Sequence, residues 1–463
     1  MGGLLTALNA GKTSLSTNQK SIEIVGNNIA NVNTPGYSRQ RAELMQIPAL
    51  NFGDFFVGQG VTVSNVRRDH DIFITRQLHE KSITLGEELG RSSPMIELER
   101  IFNIADENLA AEIDRFFDSW QELTTNPSGL VERDIVIQRG QLMGDAFAEV
   151  AQEMENVRQN INNSIVAKVD DLNETINEIA RLNERIQLVE ISGQSANSSR
   201  DQRDLLIEGL SKTLGVQTFV DKQDQLNVHL PGGLPLVIGN YPMSIEADTS
   251  GADVVLRLNA AGSVRYLSLS DLGGEIKGMM EVRDVFLADI RDNVDKLALD
   301  VTEAINGVHT LGYGLDGVTG RNFFQDLGGV QADAARQMRV AFTDPTWVAA
   351  AGNPAAAPGD NENALLLAEL ETTHFVAGTS DNFDNFFSKI VATVGIEAAR
   401  NNLAVGGAED AMVQLQNLRD GFAGVSLEEE MIDLIQYQRG FQSSAKFLST
   451  IDEMMGSLLQ LKG

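Results

Sequence analysis

The sequence predicts a mainly α, elongated fold that carries a small β insert. Three observations predict it. Apolar residues at Leu4, Leu8, Leu15, Ile22, Val25, Ile29 and Val32 keep a +4/+3 stagger, interrupted at Gly11 and Asn18. The C-terminal run Leu427, Met431, Leu434, Phe441, Ala445, Leu448, Met455 and Leu459 keeps the same stagger, with polar Gln438 and Asp452 on it. A stagger of that kind is a heptad seam, so the two ends are expected to pair as a coiled coil. Between them run long stretches of helical apolar spacing, and, a short linker apart, only residues 216–270 alternate as strands do. These signals divide the chain into a terminal coiled-coil domain (1–38 with 426–463), a β-hairpin-like linker (39–68), a long-helix bundle (69–213 with 271–425) and an inserted β domain (214–270).

The first helix is expected over about residues 4–32. Pro35 forces Thr34 out of the helical region, and Gly36 permits a positive φ, so Asn33, Thr34, Pro35, Gly36 and Tyr37 form the helix stop and joint. Asn27, Asn28, Asn31 and Asn33 are poor helix-interior residues whose amides can bond backbone in a turn. Because the cluster lies on the seam, its amides are expected to hydrogen-bond between subunits. Past Gly58 and Gly60, the alternation of Val61, Val63 and Val66 reads as a hairpin-like linker. Its arginines Arg39, Arg41, Arg67 and Arg68 have no aromatic interleaving and read as salt-bridge partners for acidic surfaces, not as a phosphate site.

Helices dominate residues 69–213. Ile113, Phe116, Phe117, Trp120 and Leu123 share one face, Pro127 marks a break, and residues 165–190 carry a coiled-coil-like row through Ile165, Val169, Leu172, Ile176, Ile179 and Ile186. A capping box is expected from Ser199 to Gln202, opening a short helix that closes at Gly215. The segments VQTFVD, LNVHL, PLVIG, VVLRL and VRYLSL then read as strands, separated by KQDQ, PGG, ADTSGAD and NAAGS turns. A second long helix is expected over 271–309, one strand at QMRVAF, and further helices over 360–370 and 382–418. Gly421 and Gly424 break the last of these, and Ser426 with Glu429 forms the capping box that starts the terminal helix.

Composition narrows the function classes. With 36 lysines and arginines against 65 acidic residues, the net charge of −29 opposes binding to nucleic acid or an anionic membrane surface. The chain has no cysteine, which removes disulfides, thiolate zinc sites and cysteine nucleophiles together. The start MGGLLTALNAGK lacks the basic flank and apolar core of a secretory signal, and no run of 18 apolar residues occurs, so no membrane insertion is expected.

Catalytic patterns are weak. Gly312, Gly314 and Gly317 spell G-x-G-x-x-G but follow a helix, whereas a dinucleotide site needs a strand before it and a helix after it. His70, His79, His229, His309 and His374 are scattered, without H-E-x-x-H spacing, and Ser195, Ser198 and Ser199 lack a G-x-S-x-G elbow. No catalytic, cofactor or metal residue is assigned. An enzyme with its site in the β insert would need clustered His, Asp or Ser there, and the insert has His229 alone among histidines.

Residues 27–39, NNIANVNTPGYSR, resemble the N-terminal signature of bacterial flagellar rod, hook and junction proteins. Residues 426–454, SLEEEMIDLIQYQRGFQSSAKFLSTIDEM, resemble the matching C-terminal signature. SSRDQRDLLIEGLSKTLGV (198–216), HTLGYGLDGVTGRNFF (309–324) and PGDNENALLLAEL (358–370) narrow the resemblance to the FlgK family, the first hook–filament junction proteins. It implies a non-enzymatic adaptor, exported through the flagellar type III channel without a cleaved signal peptide. It further implies an extracellular ring of subunits, with hook protein on one side and the second junction protein on the other. An export chaperone would bind the C-terminal helix first, on Met431, Leu434, Ile435, Phe441 and Leu448. The subunit interface would then use Leu8, Leu15, Ile22, Val25, Asn27, Asn28, Ile29, Asn31 and Val32 with Met431, Leu434, Gln438, Phe441, Leu448, Met455 and Leu459. The chain is short for the family, so an outer domain of longer members is expected to be missing. Another axial protein (the second junction protein, a flagellin, or a distal rod or hook protein) is the alternative, and should lack the HTLGYGLDG and DQRDLL blocks.

Overall fold

The structure, a computed structural model, describes residues 2–51, 56–102, 109–221, 225–260 and 262–462. Helix α1 (Gly2–Ala30) leads into β1 (Gln40–Gln46), β2 (Leu50–Asn51), β3 (Phe56–Val57) and β4 (Val61–Arg68). Strands β1 and β4 pair antiparallel, Gln40 opposite Arg68, with an irregularity between Glu43 and Leu44. Then come α2 (Ile72–Phe102), α3 (Leu109–Thr125), α4 (Leu130–Ile191) and α5 (Asn197–Leu214). At 62 residues, α4 is a rod of about 93 Å. Gly129, just past Pro127 and Ser128, is its N-cap, and α3 ends at Thr125 just before the same proline.

The β insert is two sheets. Strands β5 (Gln217–Val220), β6 (Leu226–His229), β7 (Pro235–Ile238) and β8 (Tyr241–Pro242) form one antiparallel meander. Strands β9 (Ser244–Asp248), β10 (Val255–Ala260) and β11 (Ser263–Tyr266) form the other. The sequence reading has no counterpart for β9, whose SIEAD run buries Ile245 alone and so offers no alternation. Residues 222–224 of the KQDQ turn and residue 261 of the NAAGS turn lie outside the described residues.

Helix α6 (Gly274–Glu281) continues through a π turn at Val282–Phe286 into α7 (Leu287–His309), so the helix expected from residue 271 begins three residues later, after a 3-10 turn. QMRVAF forms no strand. Phe324 and Val340 make one isolated bridge, and α8 (Ala334–Gln337) takes the start of the segment. Helices α9 (Glu362–Thr373), α10 (Phe383–Ala423) and α11 (Leu427–Lys462) complete the chain.

The main core lies between α3, α4, α7 and the loops after α7. Phe116, Trp120, Phe147, Phe323, Phe324 and Val301 are fully buried in it. His309 is its polar pin: its Nδ1 donates to the Arg321 carbonyl at 2.7 Å and its Nε2 accepts from Ala349 N–H at 2.9 Å. Those bonds fix a neutral ring, and burial pushes its pKa down to about 4. The HTLGYGLDG block is therefore a packed turn region, where Gly312 is pressed against Asn363 and Gly314 against the Thr346 carbonyl.

Backbones approach most closely where α2 crosses α5 and α6. A Cβ at Gly86 would stand 1.8 Å from the Lys212 carbonyl oxygen, one at Gly90 2.1 Å from that of Glu275, and one at Gly278 2.1 Å from that of Glu87. The G-x-x-x-G spacings at 86/90 and 274/278 are the sequence signal for this crossing.

Candidate functional site at the terminal helix pair and its joint

Helix α1 packs along α11. Two staggered rows on each helix make the contact, and one row on each is displaced by a residue from the expected seam. On α11 the half-buried Leu434, Phe441, Leu448 and Met455 stand as expected, but the second row is Glu430, Tyr437, Ser444 and Ile451. Met431, Gln438 and Leu459, expected on the seam, are exposed, as is Ile435. On α1 the deepest positions are Gly11, Thr17, Ser21, Val25 and Asn28, whereas Leu8, Leu15, Ile22, Ile29 and Val32 are half-buried.

The second row of the seam is consequently mostly small or polar. Ser14 Oγ and Ser444 Oγ share a hydrogen bond of 2.8 Å. A Cβ at Gly440 would meet Asn18 at 2.5 Å, and one at Gly11 would meet Leu448 at 2.8 Å. Tyr437 lies against Ser21, and burial raises its phenol pKa. The other flank of α1 rests on the linker: Thr17 Oγ1 donates to the Val61 carbonyl at 3.0 Å, and Thr13 Oγ1 to that of Gln59 at 3.3 Å. Helix α1 thus serves two partners at once, which moves its buried face about 100° around the helix from the row of large apolar residues.

The joint is built on Asn28. Its amide donates to the Gln40 carbonyl and to Glu430 Oε2, both at 2.9 Å, and accepts from Tyr37 Oη at 2.8 Å and Gln40 N–H at 3.0 Å. Two donors and two acceptor sites are the whole capacity of an asparagine side chain. Asn28 therefore has nothing left for a neighbouring subunit, contrary to the expectation for this cluster. Asn31 donates to the Asn27 side chain at 2.7 Å and accepts from Thr34, so these amides cap the helix end locally. Asn33, Thr34 and Pro35 are exposed, and Gly36 takes φ 75°. Tyr37, held off water between Asp201 and Glu430, has its pKa pushed up to about 12.

Next to Asn28 is Arg39, which meets three α11 carboxylates: Glu429 at 2.5 Å, Glu430 at 2.6 Å and Asp433 at 3.3 Å. This explains a difference at the start of α11. Ser426 Oγ accepts from Glu429 N–H at 3.5 Å, but the Glu429 carboxylate is taken by Arg39, so the expected box is half formed. The break before α11 also shifts, since α10 runs through Gly421 to Ala423 and Gly424 alone sits at the turn. A Cβ at Gly421 would meet nothing within 4 Å, whereas at Gly424 it would stand 2.3 Å from the Asp420 carbonyl oxygen.

A second clamp ties this joint to the body. Asp201 accepts from Ser38 N–H at 3.1 Å, Ser38 Oγ at 2.8 Å and Arg68 at 2.6 Å, and Arg68 also reaches Asp204 at 2.7 Å. Burial still holds the Asp201 pKa above the usual carboxylate range. Helix α5 starts at Asn197, two residues before the expected cap, and its N-cap Ala196 makes no side-chain cap bond. Ser38, Arg39, Arg68, Asp201, Asp204 and Glu430 are the joint residues that sequence reasoning missed as a group. Their only signal was opposite charge in segments far apart in the chain. Among the described residues, no group of three or more histidines and carboxylates is arranged to hold a metal ion.

The chain matches the family described as flagellar hook-associated protein FlgK helical domain over residues 95–324. Residues 422–461 match the flagellar basal body rod FlgEFG protein C-terminal family, and residues 8–37 the flagella basal body rod protein family. It is 26% identical to flagellar hook-associated protein 1 of Bacillus subtilis, over 100% of this chain and 99% of that one. The corresponding protein of Escherichia coli K12 is 24% identical, over 98% and 99%. The fold is similar to the solved flagellar hook junction protein FlgK from Burkholderia pseudomallei, at TM-score 0.68 and 15% identity, covering 76% of this chain and 100% of that one.

Proposed function

Because the chain belongs to the FlgK family of flagellar hook-associated proteins, we propose that it joins hook to filament as a self-assembling structural adaptor. The observation that carries the assembly step is what α11 leaves uncovered once α1 is in place. Leu427, Met431, Ile432, Ile435, Phe447, Met454, Leu458 and Leu459 are each between 46% and 65% exposed. Full burial of such side chains contributes roughly 1.5–3 kcal/mol each, so the pair is an unfinished interface that gains most of its stability on assembly. A ring of copies between hook protein and the second junction protein supplies that cover. Beforehand an export chaperone takes Met431 and Ile435 from this exposed set, together with Leu434, Phe441 and Leu448, which α1 covers only once the two helices pair. In this reading the terminal pair (1–38 with 426–463) is inner, while the helix bundle (69–213 with 271–425) and β insert (214–270) are carried outward through the 39–68 linker.

The test is complementation. A strain lacking its own junction protein should grow intact hooks, lack filaments and shed flagellin into the medium. Expression of this chain should restore filaments in electron micrographs. Filaments that return equally well with a Leu434→Asp, Phe441→Asp chain would contradict the role given to the helix pair.

A further inference from the structure

Four arginines are among the buried charged residues, and three have their donors matched. Arg39 meets three carboxylates, Arg133 donates to the carbonyls of Pro127 and Val348, and Arg283 bonds Asn162, the Val254 carbonyl and Asp284. Arg203 is different. It is 4% exposed, makes one hydrogen bond, 2.9 Å to Asn183 Oδ1, and its Nε has no partner among the described residues. It forms no ion pair among them. Burial lowers its pKa to about 10, against the opposing pull of the Asp204 and Glu190 carboxylates, neither of which contacts it directly. A buried guanidinium with unmatched donors is costly, and an anion reaching it offsets that cost.

The space for that anion is present. Arg203 lines a cavity of about 310 Å³ with Asn183, Gln187, Glu190, Ile191 and Gln225, where α4 ends against α5 and the β insert. Glu190 makes no direct bond to it, because both Glu190 oxygens are taken by Arg200 at 2.7 Å. Asn183 is held still by donating to the Leu226 and Gly239 carbonyls, at 2.9 and 2.6 Å. Gln187 and Gln225 offer neutral polar edges.

We infer that this cavity receives the side-chain carboxylate of an acidic residue on a second copy of this chain, bound by the Arg203 guanidinium. A carboxylate accepts charge-assisted hydrogen bonds from a guanidinium. The source follows from charge and from the rim. The chain carries 65 acidic residues against 36 basic ones, so another copy presents a surplus of unpaired carboxylates. Ile191, on the last turn of α4, lines the cavity and is 77% exposed. A protein surface covers such side chains, and a free ion does not. The inference rests on the self-assembly proposed above and names one of its lateral contacts.

The test places a photo-crosslinking residue at Gln187 in the full-length chain, at concentrations where it self-associates. The expected product joins two copies through an Asp- or Glu-bearing peptide and falls by about tenfold with Arg203→Met. Arg203→Met should leave the melting temperature of the monomer unchanged or raised, since it removes a buried unpaired charge. A markedly lower melting temperature would place the counterion in the same chain and overturn the inference. So would a missing intermolecular product, its survival in Arg203→Met, or capture of a different protein. Sulfate at 0.1 M or so, if it raised the melting temperature of wild type but not of Arg203→Met, would make the ligand a free anion and overturn the second-copy source. In the complementation strain, wild-type chain that fails to restore filaments counts against the adaptor reading. Filaments restored equally by wild type and Arg203→Met count against this inference alone.

Discussion

The crossing of α2 over α6 and the pairing of α1 with α11 are both close approaches permitted by small residues, yet they stand in opposite surroundings. At the crossing, Gly86, Gly90 and Gly278 bring backbones together, with Ile276 and Met279 of α6 buried. Along the terminal pair, Gly11, Ser14, Ser21, Gly440 and Ser444 bring two rods together with exposed apolar side chains on either flank. Small residues set distance, whereas stability comes from the apolar area around them. The body encloses a large apolar core, whereas on α1 and α11 only Val25 and Ile451 are fully buried hydrophobic side chains among the described residues.

The sharpest way to break this contrast is at Gly90. A valine there would force its Cβ into the Glu275 backbone, and Gly90→Val should cost on the order of 3–5 kcal/mol in chemical denaturation. Gly26→Ala, where a Cβ meets nothing within 4 Å, should instead stabilise α1 by up to about 1 kcal/mol. Equal effects at the two sites would erase the distinction.

Arg39→Ala is the next largest change. It strands the carboxylate of Glu430, whose side chain is 1% exposed, and should cost about 3–5 kcal/mol. The loss should be confined to the joint, seen as faster amide exchange in α1 and α11 with the body's transition unmoved. A joint that keeps its protection in Arg39→Ala would show that Asn28 alone holds it.

Acid and alkali should separate the two regions. As pH falls, the unfolded chain protonates His309 near 6.5 and the folded chain only at about 4. The body therefore loses up to about 3 kcal/mol across that window, a slope that His309→Gln should flatten in pH-dependent denaturation. Tyr37 acts in the opposite direction. Its folded pKa of about 12 lies above the unfolded value near 10, so its contribution is complete below pH 10 and is lost as pH rises toward 12. Tyrosinate absorbance that rises near pH 12 in wild type, and loses that late component in Tyr37→Phe, would check it.

Much of this was legible in the sequence, and the misses have physical causes. The C-terminal row Leu434, Phe441, Leu448 and Met455 follows directly from heptad spacing. Its companion row does not, because Glu430, Tyr437 and Ser444 are polar and only their intramolecular partners Arg39, Ser21 and Ser14 bring them inside. Periodicity identifies that a helix has a partner, but adjacent rows differ by one residue and a polar seam leaves no apolar mark. Strand β9 was hidden because Ile245 is its one buried residue. Gly421 suggested a break because glycine is permissive, but the structure keeps it helical and turns at Gly424. The Asp201 clamp was invisible because Ser38 and Arg68 lie 163 and 133 residues away in sequence.

The central claim, that the terminal pair is an open element completed by assembly, is tested most directly by amide hydrogen exchange on the full-length monomer and on the assembled junction. In the monomer, α11 should exchange orders of magnitude faster than α4 and α7, and its protection should rise to theirs on assembly. Equal protection of α11 and α4 in the free monomer, with no gain on assembly, would contradict the account.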